Sequence, residues 1–414
     1  MILSLYKDRK KDYLYAMNRV KLLYLYVFCL SLTACQKCII PCGRYEHNLL
    51  VYMAADNSLS DLATVNMDEI ITNASIPSDH ALFVFIDKRN EGAYLIRTRN
   101  RNSTVLLDTL YRYGSVNSAQ PEVLKQVIGH AREECPARTY GLILWSHGTG
   151  WLPRGLYGET PQYPIKPLSE VSAFQYDIYD PAYPRTKTFG QDGTREMEIP
   201  ELVSALQDYH HEYICFDACL MADIQTYFQL KDVCNYIMGS PAEIIDTGYP
   251  YDKLSSVLFP YRGQASLTAL CDAYFNKYDS KTGYNRSGTI SLVRTEHIQG
   301  LAQAFRALIS NGGTDPEEVD RSKLQTYDRL TEHVFWDIDQ MASLLGHTGD
   351  YENFKIALNK TVVYKKTTEN FITIPIKYYS GLAAYLPTRV LPGIQSAFRT
   401  TAWNTYLEWV PVSE

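Results

Sequence analysis

Four apolar runs constrain this chain more than any other feature: NLLVYMAAD (48–56), ALFVFID (81–87), YGLILWSHG (140–148) and EYICFDA (212–218). Each is short, rich in β-formers and nearly free of polar alternation, which is the pattern of a strand buried on both faces. Between them lie stretches with helical spacing: LATVNMDEIITNA (62–74), Ser118 to about Glu134 with Pro121 in its first turn, MEIPELVSALQDY (197–209) and MADIQTYFQLKD (221–232). NYIMGSPAEI (235–244) begins as a fifth strand, whereas YLIRTRN (94–100) and STVLLDTL (103–110) alternate and read as an edge hairpin. Strands alternating with helices predict an α/β fold, a mostly parallel sheet sandwiched by helices. VVYKKTTENFITI (362–374) and SGLAAYLP (380–387) are expected as late strands of the same body.

The chain has 414 residues, enough for one large domain or two ordinary ones. Its net charge of −6, with no basic stripe, argues against nucleic acid as a partner. The N-terminus carries a different message. Lys7, Arg9, Lys10, Lys11, Arg19 and Lys21 precede LLYLYVFCLSLTA (22–34), a run of signal-peptide length that is too short to span a bilayer comfortably. It ends in Leu32-Thr33-Ala34-Cys35, which resembles a bacterial lipobox, with Cys35 as the lipidated first residue of the mature chain. MNRVK, from Met17, offers an alternative compact basic start. The expectation is an exported bacterial lipoprotein, periplasmic or cell-surface, whose membrane partner is reached through that lipid. Cys38 and Cys42 are then too few for a zinc cage and are read as a tether-region pair, with a disulfide open to them after export. Cys135, Cys215, Cys234 and Cys271 lie in apolar or helical contexts and are expected to be buried.

Parallel α/β sheets gather their sites outside the carboxyl ends of the strands. Two chemically useful residues sit at such ends, His147 in WSHG and Cys219 in FDAC. A thiol of ordinary pKa is only a few per cent thiolate at neutral pH, so nucleophilic catalysis needs an imidazole to take its proton and return it to the leaving amine. Gly148 leaves room for a substrate, and the N–H groups of Gly148 and Cys219 are candidates for an oxyanion hole. A helix starting near Leu220 would set its positive end beside the sulfur. Asp217, two residues before Cys219, would share its side of a strand, because side chains alternate.

With those residues in view, the chain resembles the clostripain-like cysteine peptidases of the caspase-hemoglobinase group. The matching stretches are LLVYMAADNSL (49–59), YGLILWSHGTGW (140–151), MEIPELVSAL (197–206), ICFDACLMADIQTYF (214–228) and GSPAEIIDTGYPY (239–251), with weaker echoes at 287–295, 380–387 and 401–409. The resemblance implies a caspase-like fold and makes Cys219 the nucleophile, His147 the general base, Gly148 and Cys219 the oxyanion donors and Asp217 the acid of a pocket for lysine or arginine. The expected organisation is a signal peptide at 1–34, a tether at 35–46, a catalytic core at 47–255 and a C-terminal part at 256–414 packed on that core. The expected activity is an endopeptidase acting on protein or peptide substrates. The alternative is a surface protein that keeps the peptidase fold and binds peptides without cutting them.

Residues 152–196, between the two catalytic strands, have little periodicity and include Arg154, Lys166, Arg185, Lys187 and Arg195. Relatives cleave themselves in this region after a basic residue, and the resemblance implies the same here. No cofactor is called for with certainty. Some relatives need calcium, and the chain has no D-x-D-x-D-G run, so calcium stays open. His130, His210, His211 and His333 lack the strand-end setting and are read as surface or structural residues.

Overall fold

The computed structural model describes residues 45–101, 104–154, 189–193, 195–245, 247–330 and 332–412. The signal, Cys35, Cys38 and Cys42, and the tether apart from its last two residues, lie outside the described residues.

The first half runs β1 (Tyr45–Ala55), α1 (Ser60–Asn73), β2 (His80–Lys88), β3 (Gly92–Arg101), β4 (Thr104–Gly114), α2 (Pro121–Glu134) and β5 (Ala137–Trp145). A hairpin of β6 (Phe189–Asp192) and β7 (Arg195–Met197) precedes α3 (Ile199–Leu206), β8 (His211–Asp217), α4 (Ile224–Leu230) and β9 (Cys234–Gly239). Then come α5 (Leu254–Leu258), α6 (Gln264–Asp279), β10 (Thr289–Arg294), α7 (Ile298–Ser310), β11 (Trp336–Asp337), α8 (Ile338–Leu345), α9 (Thr348–Thr361) and β12 (Val362–Thr367). The chain ends in the two-residue strands β13 (Asn370–Phe371), β14 (Ile374–Pro375) and β15 (Ala383–Ala384), followed by α10 (Pro392–Arg399) and α11 (Ala402–Leu407).

The apolar runs become strands because the sheet buries both of their faces. The last nine residues of β1 and the first eight of β2 are buried. Among the described residues nine strands join in the order β12-β10-β9-β8-β5-β1-β2-β3-β4. The central five, β9-β8-β5-β1-β2, are mutually parallel. Antiparallel strands extend both edges, β3 and β4 on one side and β10 and β12 on the other. The residues after 255 thus continue the sheet as well as packing on it.

Alternate side chains feed two cores. Tyr52, Phe83, Leu144 and Phe216 face one core with α2, α3, α4 and α7, whereas Val51, Val84, Ile143 and Cys215 face the other with α1, α5 and α6. The helices match this need. In α1 the buried residues are Ala63, Asn66, Met67 and Ile70, and in α7 they are Ile298, Leu301, Ala302, Phe305 and Leu308, each one helical stripe.

Several boundaries differ from the sequence reading; the strand expected at 362–374 ends at Thr367, and Asn370–Phe371 pairs with Ile374–Pro375 in a separate hairpin. The 197–209 helix covers only Ile199–Leu206. Met197 pairs with Phe189 in a hairpin, and Glu198 with Glu201 forms a reciprocal capping box that sets the start. The 221–232 helix begins at Ile224, because the Asp223 side chain accepts the Thr226 N–H and caps it there. Of the late strand expected at 380–387 only Ala383–Ala384 pairs, with Trp336–Asp337, and the rest is buried without a ladder.

Candidate active site

β5 and β8 are neighbours, with Trp145 opposite Asp217, so the two chains leave the sheet at one level. The Ser146 N–H still donates to the Asp217 carbonyl at 3.3 Å. Just beyond, the turns carrying His147 and Cys219 touch. A Cβ placed on Gly148 would lie 2.7 Å from the Cys219 carbonyl oxygen and 2.9 Å from Ala218 Cβ. Glycine at 148 therefore answers a packing need: only a residue without a side chain lets the two turns approach this closely. The N–H groups of Gly148 and Cys219 have no hydrogen-bond partner among the described residues.

Cys219 sits half-buried in a tight turn. The next residue, Leu220, is buried and takes φ +62°, the left-handed region that costs a residue with a side chain of order 1–3 kcal/mol. It is held there by donating its N–H to Ala242 O at 2.9 Å. The sulfur is engaged by one residue twice, accepting the Ile244 N–H at 3.2 Å and pointing at Ile244 O at 3.7 Å. Burial, reinforced by the Glu243 carboxylate, pushes the thiol up to about 12. The helix expected at Leu220 starts four residues later and is seven residues long, so no helix end abuts the sulfur. That expectation is corrected: the turn needs residues 218–223 for itself.

His147 is half-buried, and burial brings its imidazole down to about 4, so at neutral pH it is uncharged and able to accept a proton. Its Nε2 is 2.9 Å from Ser58 Oγ, and its carbonyl accepts the Gly190 N–H at 3.2 Å. The two side chains at the strand ends are thus held by other partners, the imidazole by Ser58 and the thiol by Ile244.

Asp217 is 5% exposed. Its Oδ2 accepts the Tyr249 N–H at 3.1 Å and the Tyr251 hydroxyl at 2.9 Å. Gly248, at φ +57°, lies against the same carboxylate, and a Cβ there would be 2.5 Å from Oδ2. Burial lifts the acid to about 6, against the pull of those two donors and of Lys277. Lys277 itself donates to the carbonyls of Thr247, Gly248 and Tyr249 at 2.8, 3.2 and 3.0 Å. Asp217 therefore belongs to the face of Tyr213 and Cys215, whereas Cys219 packs mainly against the opposite core. Strand alternation stops at Asp217, and the two residues do not line one strand face as their spacing had implied.

Ser58, Glu243, Ile244, Tyr249 and Tyr251 were not singled out from the sequence, although all lie in stretches that carried the family resemblance. Arg329, which clamps Glu243, had no sequence signal at all. Cys135, Cys215, Cys234 and Cys271 are buried free thiols. His130 stacks on Tyr111, His211 is buried, and His333 bonds Asp328. Among the described residues, no group of three or more His, Cys, Asp and Glu is arranged to hold a metal, and no helix is long and apolar enough to cross a membrane.

A mixed, mostly parallel sheet with a histidine and a cysteine on adjacent strand ends points to the class of cysteine proteases. Residues 51–158 and 172–382 match the clostripain family, peptidase C11, and the chain belongs to that family. It is similar to an inactive zymogen C11 protease from Parabacteroides distasonis, at 29% identity over 89% of this chain and 99% of that one, with a TM-score of 0.73. It is also similar to a secreted C11 cysteine protease from Bacteroides thetaiotaomicron, crystallised with an irreversible peptide inhibitor, at 26% identity over 88% and 99%, again with a TM-score of 0.73. No curated protein matches it.

Proposed function

We propose that this protein is an exported, lipid-anchored cysteine endopeptidase that cleaves after arginine or lysine, with Cys219 as nucleophile and His147 as general base. The observation that carries this reading is the contact between the Gly148 and Cys219 turns at the ends of neighbouring parallel strands.

His147 takes the thiol proton as Sγ attacks the scissile carbonyl, and the oxyanion is received by the Gly148 and Cys219 N–H groups. The tetrahedral intermediate collapses to a thioester at Cys219, and His147 returns the proton to the leaving amine. Water activated by the same imidazole then releases the amino-terminal product. Asp217 is the acid of the primary pocket, where a bidentate guanidinium would repay the cost of ionising a buried carboxylate. For these steps the imidazole must leave Ser58 for the thiol, and the thiol proton must turn from the Ile244 carbonyl to the imidazole, while the Ile244 N–H stays on the sulfur. The protonated, Ile244-bound thiol suits a resting form matured by cleavage after a basic residue within 152–196.

Export is supported by the similarity to a protease described as secreted. The anchor at Cys35 rests on the lipobox resemblance and is tested by labelling with a fatty acid, lost in Cys35→Ser. The central test is hydrolysis of a small arginine-ester or lysine-amide reporter by the purified chain, before and after limited nicking within 152–196. Turnover abolished in Cys219→Ala supports the proposal. Binding of basic peptides without turnover in either form would replace it with the non-catalytic peptide-binding reading.

A further inference from the structure

Cys219 is enclosed by a segment remote from its own turn. The Ala222 N–H donates to Ser240 O at 3.0 Å, the Leu220 N–H to Ala242 O at 2.9 Å, and the Ile244 N–H to the sulfur at 3.2 Å. Residues 240–244 thus run beside 219–222 like an unfinished ladder, and the sulfur is its last rung. Glu243 lies inside that rung. Its Oε2 is gripped by Arg329, with Nε at 3.0 Å and Nη2 on the same oxygen, and the two side chains are only 18% and 22% exposed.

Arg329 is itself held firmly. Its neighbour Asp328 is fully buried and accepts the N–H groups of Leu330, Val334 and Phe335 at 3.0, 2.9 and 2.7 Å, while His333 Nδ1 bonds it at 2.9 Å. These bonds tie residues 328–330 to residues 333–335. The far end of this stretch meets the other side of the site: a Cβ on Gly150 would be 3.0 Å from the Phe335 ring. One loop from the second half of the chain therefore reaches the His147 turn through Phe335 and the Cys219 enclosure through Arg329.

We propose that Glu243 and Arg329 form a positioning pair for the nucleophile, seating the Ile244 peptide on Cys219 and balancing the charge that the sulfur meets. The proposal rests on Cys219 being the nucleophile, as argued above. The charged and titratable groups around the sulfur come from every element packed against it. Glu243 on the enclosing segment and Asp217 on β8 disfavour the thiolate, and Arg329 favours it. Tyr274 of α6 is within electrostatic reach, and His147 across the cleft is neutral. Arg329 offsets part of the effect of Glu243, and without that partner the carboxylate would hold the thiol protonated more strongly.

The test measures the rate of Cys219 alkylation by iodoacetamide against pH in the full chain, with the site read by mass spectrometry. The kcat/KM for an arginine reporter is measured alongside. Arg329→Met should move the alkylation midpoint to higher pH and slow alkylation about threefold to tenfold at a fixed mildly alkaline pH, since one pKa unit is tenfold in thiolate. Glu243→Gln should move the midpoint down and speed alkylation, yet lower kcat/KM, because the Ile244 peptide is no longer fixed. Arg329→Lys should recover the midpoint but not turnover, as an ammonium lacks the planar fork.

Opposite movements of thiol reactivity and turnover in Glu243→Gln are the signature, because a merely structural pair would lower both together. Unchanged midpoints in both variants, or parallel losses in both, would overturn the proposal. If Arg329→Met does not fold, Glu243→Gln decides alone. Alkylation reads the thiol without turnover, so a Cys219→Ala chain that still hydrolyses the reporter would sink the nucleophile assignment separately.

Discussion

Replacing Asp217 with asparagine separates what a buried acid costs from what it does. The carboxyl is 5% exposed, and burial lifts it from an ordinary value of 3.8 to about 6. At 1.36 kcal/mol per pKa unit, keeping it ionised at neutral pH costs the folded state about 3 kcal/mol. Because the folded value lies above the unfolded one, the penalty is absent below about pH 4, grows as the pH rises to about 6, and is complete above that. Asparagine retains an oxygen that can accept from the Tyr249 N–H and the Tyr251 hydroxyl. Allowing for imperfect replacement, Asp217→Asn should be more stable than the parent at pH 7 by about 1–3 kcal/mol, and the gain should disappear near pH 4. The same change should cost about 100-fold or more in kcat/KM for an arginine reporter while sparing an uncharged one, as expected for a lost charge-assisted, bidentate pair. In the parent enzyme, kcat/KM for arginine should fall as the pH drops through about 6. Denaturant unfolding at both pH values and kinetics on the two reporters are the assays. A variant no more stable at pH 7 would refute the argument from burial, and one that still prefers arginine would refute the pocket role.

Gly148→Ala forces a methyl to 2.7 Å from the Cys219 carbonyl, so the turns must part. Thermal melts should show a loss of about 1–3 kcal/mol, and kcat/KM should drop about 100-fold for a displacement near 1 Å. Retained activity would mean that the two turns need not touch. A Cys219→Ala chain purified from a protease-free host should run as one band on a denaturing gel, and two fragments would rule out self-cleavage. Asp328→Ala leaves three backbone N–H groups without their acceptor. Denaturant titration should register a loss of about 3 kcal/mol or more, and a change below about 1 kcal/mol would show that the loop does not depend on that carboxylate.

Sequence alone determined the strands of the parallel centre, the helices between them and the two strand ends that carry His147 and Cys219. Those features repeat over a few residues, and a run such as LLVYMAA can hide both faces only inside a covered sheet. The hairpin after 92 was legible for the same reason. The strand at 289–294 was met only as an echo of the resemblance, and the short ladders near 336 and 383 were not legible, because their pairing joins residues far apart in sequence.

Only the tertiary structure decided the surroundings of the site. Asp217 is covered by Tyr249, Tyr251 and Gly248, the sulfur is seated on Ile244, and Glu243 is clamped by Arg329 from 86 residues away. Spacing implied that Asp217 and Cys219 share a face, but alternation holds only while the ladder continues, and it ends at Asp217. Periodicity records which way a side chain points along its own element. Which distant backbone then closes over it is set by packing between elements, as the Ile244 N–H on the Cys219 sulfur shows.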